Sequence, residues 1–541
     1  MKMNISKWAV ALVAAAMVLC QGCEQKLGLK VETVAGTVEG IELEGGLKAF
    51  LGVPFAEAPV GELRWAAPQP KKAWEGVLET KEFGNDPMQP TIFGDMAFRG
   101  PKRDEDCLYL NIWTPAAVAS EGLPVLIYFN GGGLMAGSGS EPRYDGAAIA
   151  REGVIGVTAN YREGVFGFFS HPDLTEESPY HGSGNYGFLD QVAAIQWVKD
   201  NIKAFGGDPD RITIVGESAG SFSVSLLMVS PLSKNLIAGA MLSSGAEVLP
   251  YIGEEQASAD AFGEALLGVK GIASLADARA LSADELQELI PPTGMANVII
   301  DGYFMEEQPD AIYARGEQAN VPLLAGWNSL EGTPRASTVE GYKKQLRPQF
   351  GEMTDEIFEA YGIVEDADVM SIKGFTLAGD LFTGFPTWKV CDYHAKTTSQ
   401  PVYRYKYNHP RPAPSAKMGD KVGALAGGVR EKTEEEKAQP VFIAPGAVHS
   451  ADIEYAMGNL ETNEYYDWQP EDFAISKTFL SFYANFCKTG NPNGEGLPTW
   501  TPINGNLDAA PVMQIDVESK EVASEALENA YRTLEKHYLS E

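Results

Sequence analysis

Ile212-Thr213-Ile214-Val215-Gly216-Glu217-Ser218-Ala219-Gly220 is the stretch on which the reading of this chain turns. A short apolar strand running into Gly-x-Ser-x-Gly predicts a strained strand-to-helix turn that holds a serine hydroxyl above a sheet. The helix-like run Ser221-Phe222-Ser223-Val224-Ser225-Leu226-Leu227 follows at once. The glycines have a physical purpose. The backbone at the serine enters a sparsely allowed region, and a side chain on either flank would meet the neighbouring strand or helix. Glycine-serine turns without chemistry are common, and the flanking strand and helix are what make Ser218 a candidate nucleophile.

Outward from that turn, apolar strand-like runs at 125–129, 154–158, 240–243, 321–325 and 402–407 alternate with amphipathic segments. One of these is Asp190-Gln191-Val192-Ala193-Ala194-Ile195-Gln196-Trp197-Val198. Strands alternating with helices predict a large, mostly parallel central sheet covered by helices on both faces. Before residue 115 the texture changes to short alternating strands with Gly and Pro turns, around 31–51. A small set of N-terminal antiparallel strands at one edge is expected there. The stretch 411–439 is rich in Gly, Lys and Glu and is expected to be a long exposed loop. No repeat or low-complexity linker divides the chain, so residues 23–541 are expected to form one domain.

The 541 residues carry 74 acidic and 42 basic side chains, a formal net charge of −32. Neutralising phosphates requires a basic face, so nucleic acid is excluded as a partner. Steering of acidic substrates is excluded for the same reason. Residues 1–22 read as a secretory signal: Lys2 and Lys7 precede an uninterrupted apolar run at 8–19 that is too short to span a membrane. Gly22-Cys23 resembles the end of a bacterial lipoprotein signal, with Cys23 the lipid acceptor, although Cys20 is an imperfect lipobox residue. Ordinary cleavage near the same point is the alternative. The expected location is periplasmic, outer-membrane-anchored or secreted. Cys107, Cys391 and Cys487 remain beyond the signal. Three cannot all pair, and no Cys-x-x-Cys lies among them, so metal clusters and redox motifs are not expected. Whether Cys391 and Cys487 pair stays open.

A serine hydroxyl needs a base within hydrogen-bond reach, and the base needs an orienting acid. In hydrolases with this turn the chain order is nucleophile, acid, histidine. His394, His409, His449 and His537 lie downstream of Ser218. His449 follows the turn-like Gly446-Ala447-Val448 and precedes Ala451-Asp452-Ile453-Glu454-Tyr455, which predicts a loop-borne histidine beside packed structure. His409, next to Pro410, is the rival, with a strand-end surface histidine as its alternative reading. His537, in a charged terminal helix, is expected to be solvated. For the acid, Glu331 stands shortly after the 321–325 strand, at the carboxyl edge of the sheet where site residues gather. A glutamate in a turn is more often solvated, so its residues alone leave the choice open. Asn130-Gly131-Gly132-Gly133 follows directly from the 125–129 strand. Consecutive glycines let backbone N–H groups converge where a tetrahedral intermediate carries its charge, and the N–H of Ala219 would complete the hole.

With these motifs assembled, the chain resembles the type-B carboxylesterase/cholinesterase family of α/β-hydrolases, from about residue 31 to 505. Phe50-Leu51-Gly52-Val53-Pro54-Phe55-Ala56 with Pro59-Val60-Gly61-Glu62-Leu63-Arg64-Trp65 is similar to the family's opening. Glu105-Asp106-Cys107-Leu108-Tyr109-Leu110-Asn111 is similar to its second signature. Asn160-Tyr161-Arg162, Asn185-Tyr186-Gly187, Asp190-Gln191 and Phe205-Gly206-Gly207-Asp208-Pro209 follow in family order. The resemblance implies an α/β-hydrolase fold, with Ser218 as nucleophile, Glu331 as acid and His449 as base. It assigns Gly132, Gly133 and Ala219 to the oxyanion hole, Arg64 and Glu105 to a structural salt bridge, and Glu217 to the lining of the site.

Three departures stand out. Asn130 stands where many members have His. Residues 86–89 lack the cysteine that usually pairs with the one matching Cys107, so Cys107 is expected to be unpaired. Ser221 stands where Gly or Ala is commoner, with no role assigned. The implied activity is hydrolysis of uncharged carboxylic esters through an acyl-enzyme, with no metal or organic cofactor. A lipase acting on acyl glycerols is the alternative within the family. A non-catalytic binding module is the alternative outside enzymology; such members lack triad residues, and this chain keeps all three with both oxyanion glycines.

Overall fold

The computed structural model describes residues 26–93, 96–290, 297–423, 429–438, 444–503 and 510–539. The expected signal segment and Cys23 lie outside the described residues.

Among the described residues, eleven strands form the central sheet. In chain order they are β1 (Ile41–Glu42), β2 (Lys48–Pro54), β3 (Tyr109–Thr114), β4 (Leu123–Phe129), β5 (Ile155–Ala159), β6 (Gly207–Glu217), β7 (Gly239–Ser243), β8 (Leu323–Asn328), β9 (Val402–Tyr407), β10 (Val512–Ile515) and β11 (Lys520–Val522). Their spatial order is β11-β10-β9-β8-β7-β6-β4-β5-β3-β2-β1. The block from β10 to β5 is parallel throughout. Both edges are antiparallel, β11 on one side and β3, β2 and β1 on the other.

This order creates a switch point. The chain leaves β4 toward β5 on one side, and leaves the adjacent β6 toward β7 on the other. Crevices open at the carboxyl ends of strands where connections diverge in this way, and ligands bind there. The Asn130 glycine turn leaves β4 and Ser218 leaves β6, so the topology alone brings the two motifs together.

The central strands are apolar on both faces because both are covered. Val125, Ile127, Phe129, Ile212 and Ile214 belong to one buried cluster. Leu126, Tyr128, Val215, Met241 and Leu324 belong to a second on the opposite face. Residues that alternate along a strand therefore feed two cores. Helices α1 (Tyr186–Asn201), α2 (Ala219–Val229), α3 (Phe385–Thr397), α4 (Ile453–Ala456) and α5 (Pro470–Thr489) are among those that cover the sheet. Among the described residues no helix is long and apolar enough to cross a membrane.

The expected N-terminal antiparallel strands are present and fall into two sets: β1 and β2 join the edge of the main sheet, while Lys30–Glu32 and Thr37–Glu39 form a separate sheet with Val77–Glu79. Its outer pairing, 37–39 with 77–79, is parallel. Other expectations need correction. The segment expected as a long loop carries an antiparallel pair, Lys421–Gly423 with Val429–Glu431, and a short helix, Glu434–Lys437. His537 is buried, its ring 4.8 Å from that of Phe350, because the terminal helix turns this position inward. His409 is no surface residue either. It is buried with Nε2 2.9 Å from an Asp472 oxygen. Cys107, Cys391 and Cys487 are all free and buried.

Candidate active site

Ser218 occupies the single residue between β6 and α2. Its backbone lies at φ 55° and ψ −125°, a conformation that costs an L residue on the order of 1–3 kcal/mol. The neighbours make this geometry obligatory. A Cβ on Gly216 would fall 2.3 Å from the Gly220 carbonyl carbon and oxygen, and one on Gly220 would fall 2.2 Å from the Phe129 carbonyl oxygen. The Ser218 N–H donates to Ser243 O at 2.9 Å, and its carbonyl accepts from Phe222 N–H at 3.0 Å. α2 thus begins beside the serine hydroxyl with its N-terminal end, where the helix dipole favours negative charge.

His449 and Glu331 complete a series with this hydroxyl. Ser218 Oγ lies 2.9 Å from His449 Nε2, and His449 Nδ1 lies 2.5 Å from Glu331 Oε2. The other carboxylate oxygen of Glu331 accepts the Ser244 hydroxyl and the Asn328 N–H, both at 2.5 Å. Glu331 is 3% exposed and His449 4%, so the imidazole and its carboxylate are shielded from bulk water while Ser218 is half-buried. A hydroxyl, an imidazole and a carboxylate in this order can move a proton off the hydroxyl and offset the charge left on the ring.

The loop bearing His449 is stitched to the end of β8. Leu330 N–H donates to Ala447 O at 2.8 Å, and Ala447 N–H donates to Ser329 Oγ at 2.9 Å. Asn328 Nδ2 reaches both Val448 O at 2.9 Å and Asp452 Oδ1 at 3.0 Å. Asp452 also accepts the Ser243 hydroxyl at 2.5 Å. On the far side of the histidine, Arg411 donates to Ser450 O at 3.0 Å while its guanidinium forks onto Glu454. Ser244 and Ser450, like Ser218, hold positive φ, at 63° and 64°. The three positive-φ serines among the described residues therefore sit at the imidazole, at its carboxylate partner and next to it in the chain.

Glu217 lines the site from the other side. Its Oε1 is 3.4 Å from His449 Nε2 and accepts the Ser450 hydroxyl at 3.1 Å. Burial pushes the Glu217 carboxyl up to about 7, against the pull of the nearby imidazole. Burial alone would lower the His449 imidazole, but the carboxylates of Glu217 and Glu331 outweigh it and lift the ring to about 9. Facing acids therefore favour a protonated histidine, and Glu217 and His449 titrate as a coupled pair.

On the β4 side, a Cβ on Gly131 would fall 3.0 Å from Ser218 Cβ, so the glycine turn abuts the serine. The N–H groups of Gly132, Gly133 and Ala219 donate to no group among the described residues. Asn130, with its side chain buried behind the turn, donates to Gly131 O and Glu163 Oε1, both at 3.0 Å, while its own carbonyl accepts the Tyr161 hydroxyl at 2.9 Å. Ser221 gains a role here: its hydroxyl ties α2 to Gly245 O at 2.6 Å, on the segment following β7. Arg64 and Glu105 form a two-pronged ion pair, with both N–O distances 2.6 Å. Among the described residues no three His, Cys, Asp or Glu side chains gather so as to hold a metal ion.

The structure thus brings Ser218, Glu331, His449, Gly132, Gly133 and Ala219 to one place, and leaves His409 and His537 out of it. Sequence reasoning missed Ser244, Asn328, Asp452 and Arg411. Each is an unremarked polar residue until distant segments meet.

The model of the Carboxylesterase family matches residues 28–534. The chain belongs to the carboxylesterase family. It is 39% identical over 404 residues to the fumonisin B1 esterase of Sphingopyxis macrogoltabida, covering 69% of this chain and 70% of the relative. It is 33% identical to liver carboxylesterase 1 of Oryctolagus cuniculus, covering 91% of each. Among solved structures a PNB esterase matches with a TM-score of 0.77 and 28% identity, over 93% of this chain and 99% of the other. This carboxylesterase therefore has the α/β-hydrolase fold and is a carboxylic ester hydrolase.

Proposed function

We propose that this carboxylesterase cleaves uncharged carboxylic esters through an acyl-enzyme on Ser218, with His449 as general base and acid and Glu331 as its orienting acid. The observation that carries this reading is the unbroken series from the Ser218 hydroxyl through His449 to Glu331, beside a glycine turn and a helix start whose three N–H groups donate to no group among the described residues. Ser218 Oγ attacks the ester carbonyl as His449 Nε2 takes its proton. The carbonyl oxygen becomes an oxyanion held by Gly132, Gly133 and Ala219. Removing one such donor costs about 3 kcal/mol in comparable sites. The imidazolium then protonates the leaving alcohol. Water, deprotonated by the same imidazole, attacks the acyl-enzyme, and the acid departs as Ser218 regains its proton.

The carboxyl groups of Glu217, Glu331 and Asp452 share this pocket of the fold, which disfavours an anionic group at the reacting carbonyl. We further propose that the chain is exported, with residues 1–22 removed and a lipid on Cys23. Mass analysis of the mature N-terminus tests that separately.

For the catalytic reading, a fluorophosphonate probe should label the parent, label a folded Ser218→Ala variant not at all, and label His449→Ala far more slowly. Hydrolysis of p-nitrophenyl butyrate should fall by on the order of 10⁴ or more in the serine variant. A folded Ser218→Ala variant that keeps parental activity sinks the proposal.

A further inference from the structure

The turn carrying Gly132 and Gly133 is short and bonded to itself. The N–H groups of Met135 and Ala136 both donate to Gly132 O, at 3.1 and 3.2 Å. Its entry is fixed by Asn130, as described above. Its exit, Gly137, passes so close to that side chain that a Cβ would fall 1.8 Å from Asn130 Nδ2.

One side chain from a distant segment holds this exit by both backbone groups. Gln89 Nε2 donates to Gly137 O at 2.7 Å, and Gly137 N–H donates to Gln89 Oε1 at 2.8 Å. The amide therefore closes the reciprocal pair that two facing residues of a sheet make with their backbones. A carboxamide offers an acceptor and two N–H donors together, which is what Gly137 and Pro87 jointly require here. Gln89 is 2% exposed, and its Nε2 also donates to Pro87 O at 3.0 Å, so its orientation is fixed.

The rest of this segment is attached in the same manner. Asp86 accepts the Ser138 and Ser140 hydroxyls at 2.6 and 2.7 Å, one and three residues beyond Gly137. Cys107 is free, so these hydrogen bonds, with no bridge to that cysteine, tie residues 86–89 to the turn.

We propose that Gln89 is a positioning residue for the oxyanion-binding turn, setting the height of the Gly132 and Gly133 N–H groups against the reacting carbonyl. The proposal rests on the reading of that turn given under Proposed function. Gln89 touches no reacting atom and acts through Gly137. Preorganised donors lose much of their effect when displaced by a fraction of an ångström, so the loss should appear in the transition state and not in substrate binding.

Two variants test it. Gln89→Glu keeps the size but turns an acceptor toward Gly137 O and Pro87 O. Gln89→Asn keeps the amide but is one methylene short. For each we would measure kcat and KM on p-nitrophenyl butyrate, inhibition by an aryl trifluoromethyl ketone, and Tm. The ketone forms a tetrahedral adduct with the serine, so its Ki reports the oxyanion site directly. We expect kcat to fall roughly 10- to 100-fold and Ki to rise by a matching factor, with KM within about twofold. A role in stability alone would move Tm and leave kcat and Ki of the folded protein unchanged. Folded variants with parental kcat and Ki overturn the proposal. So does a fall in kcat without a rise in Ki, and so does failure of both variants to fold, which would assign Gln89 to stability. If the parent itself is not inhibited by the ketone, the underlying serine-esterase reading fails instead, and the two failures are thereby told apart.

Discussion

Ser218 and His449 lie one hydrogen bond apart, yet the first is placed by its chain neighbours and the second by residues far from it in sequence. Most of what shapes the serine sits between Gly216 and Phe222, joined by a strand contact to Ser243 and by Phe129 and Gly131 packed against the turn. The histidine stands on an irregular segment, fixed by Asn328 on one flank and Arg411 on the other, 120 and 39 residues from the atoms they grip. A nucleophile built into a covalent turn is strained but hard to misplace. A base borne on a loop can be adjusted by its neighbours, and it can also be lost through any of them.

The largest effect should come from the covalent side. Gly220→Ala places a methyl against the Phe129 carbonyl, 2.2 Å away with no flexible atom to yield. Overpacking a core costs about 1–3 kcal/mol or more, and here the displaced strand end also carries the Asn130 turn. We expect a marked drop in Tm together with loss of esterase activity, read by calorimetry and p-nitrophenyl butyrate hydrolysis. A variant that folds and works like the parent would show that the elbow is more pliable than this geometry allows.

On the loop side the effect should be smaller and of a different kind. Asn328→Ala removes the donors to Val448 O and Asp452. We expect a fall in kcat of roughly 10- to 100-fold from misplacement of the base. The loss in stability should be about 1–3 kcal/mol, the penalty for a buried acceptor left without its donor. Stopped-flow measurement of probe labelling would locate the loss at Ser218 activation. An unchanged labelling rate would mean that Arg411 and the Ser329 contacts hold the histidine without help.

The smallest change should be one of shape. The His449 imidazole must be neutral to act as base, and it is lifted to about 9, with Glu217 one of its causes. Activity should therefore rise as pH climbs toward that value. Glu217→Gln keeps an acceptor for Ser450 but removes the charge, so the ring should lose its proton at lower pH. The rising limb of kcat/KM should move toward acid. A limb that stays in place would mean that Glu331 and the other carboxyl groups set the imidazole without Glu217.

What can be read from the amino acids follows the same division. The elbow, the glycine turn and the central strands are local patterns, written in consecutive residues, so Ser218 and Gly132 are marked by their immediate neighbours in the chain. Glu331 and His449 need the family resemblance to be fixed, because a turn glutamate is more often solvated and the local mark of the histidine, a turn before packed structure, leaves His409 as a rival. Ser244, Asn328 and Asp452 are invisible in the sequence, since each is an ordinary polar residue until strands and loops converge. The miss at His537 has a related cause: charge dominates the terminal helix, but its period sets that position against Phe350. The 411–439 segment misleads by composition. Its Gly, Lys and Glu suggest an exposed coil, while 421–423 and 429–431 have enough alternation to pair.

The three buried thiols carry a consequence for where this chain can be made and used. Burial raises the Cys391 and Cys487 thiols to about 12 and the Cys107 thiol well above its ordinary value, so none offers a thiolate at neutral pH. No loop among the described residues is closed by sulfur. The fold of the described residues thus rests on no disulfide, and it should form alike under reducing and oxidising conditions.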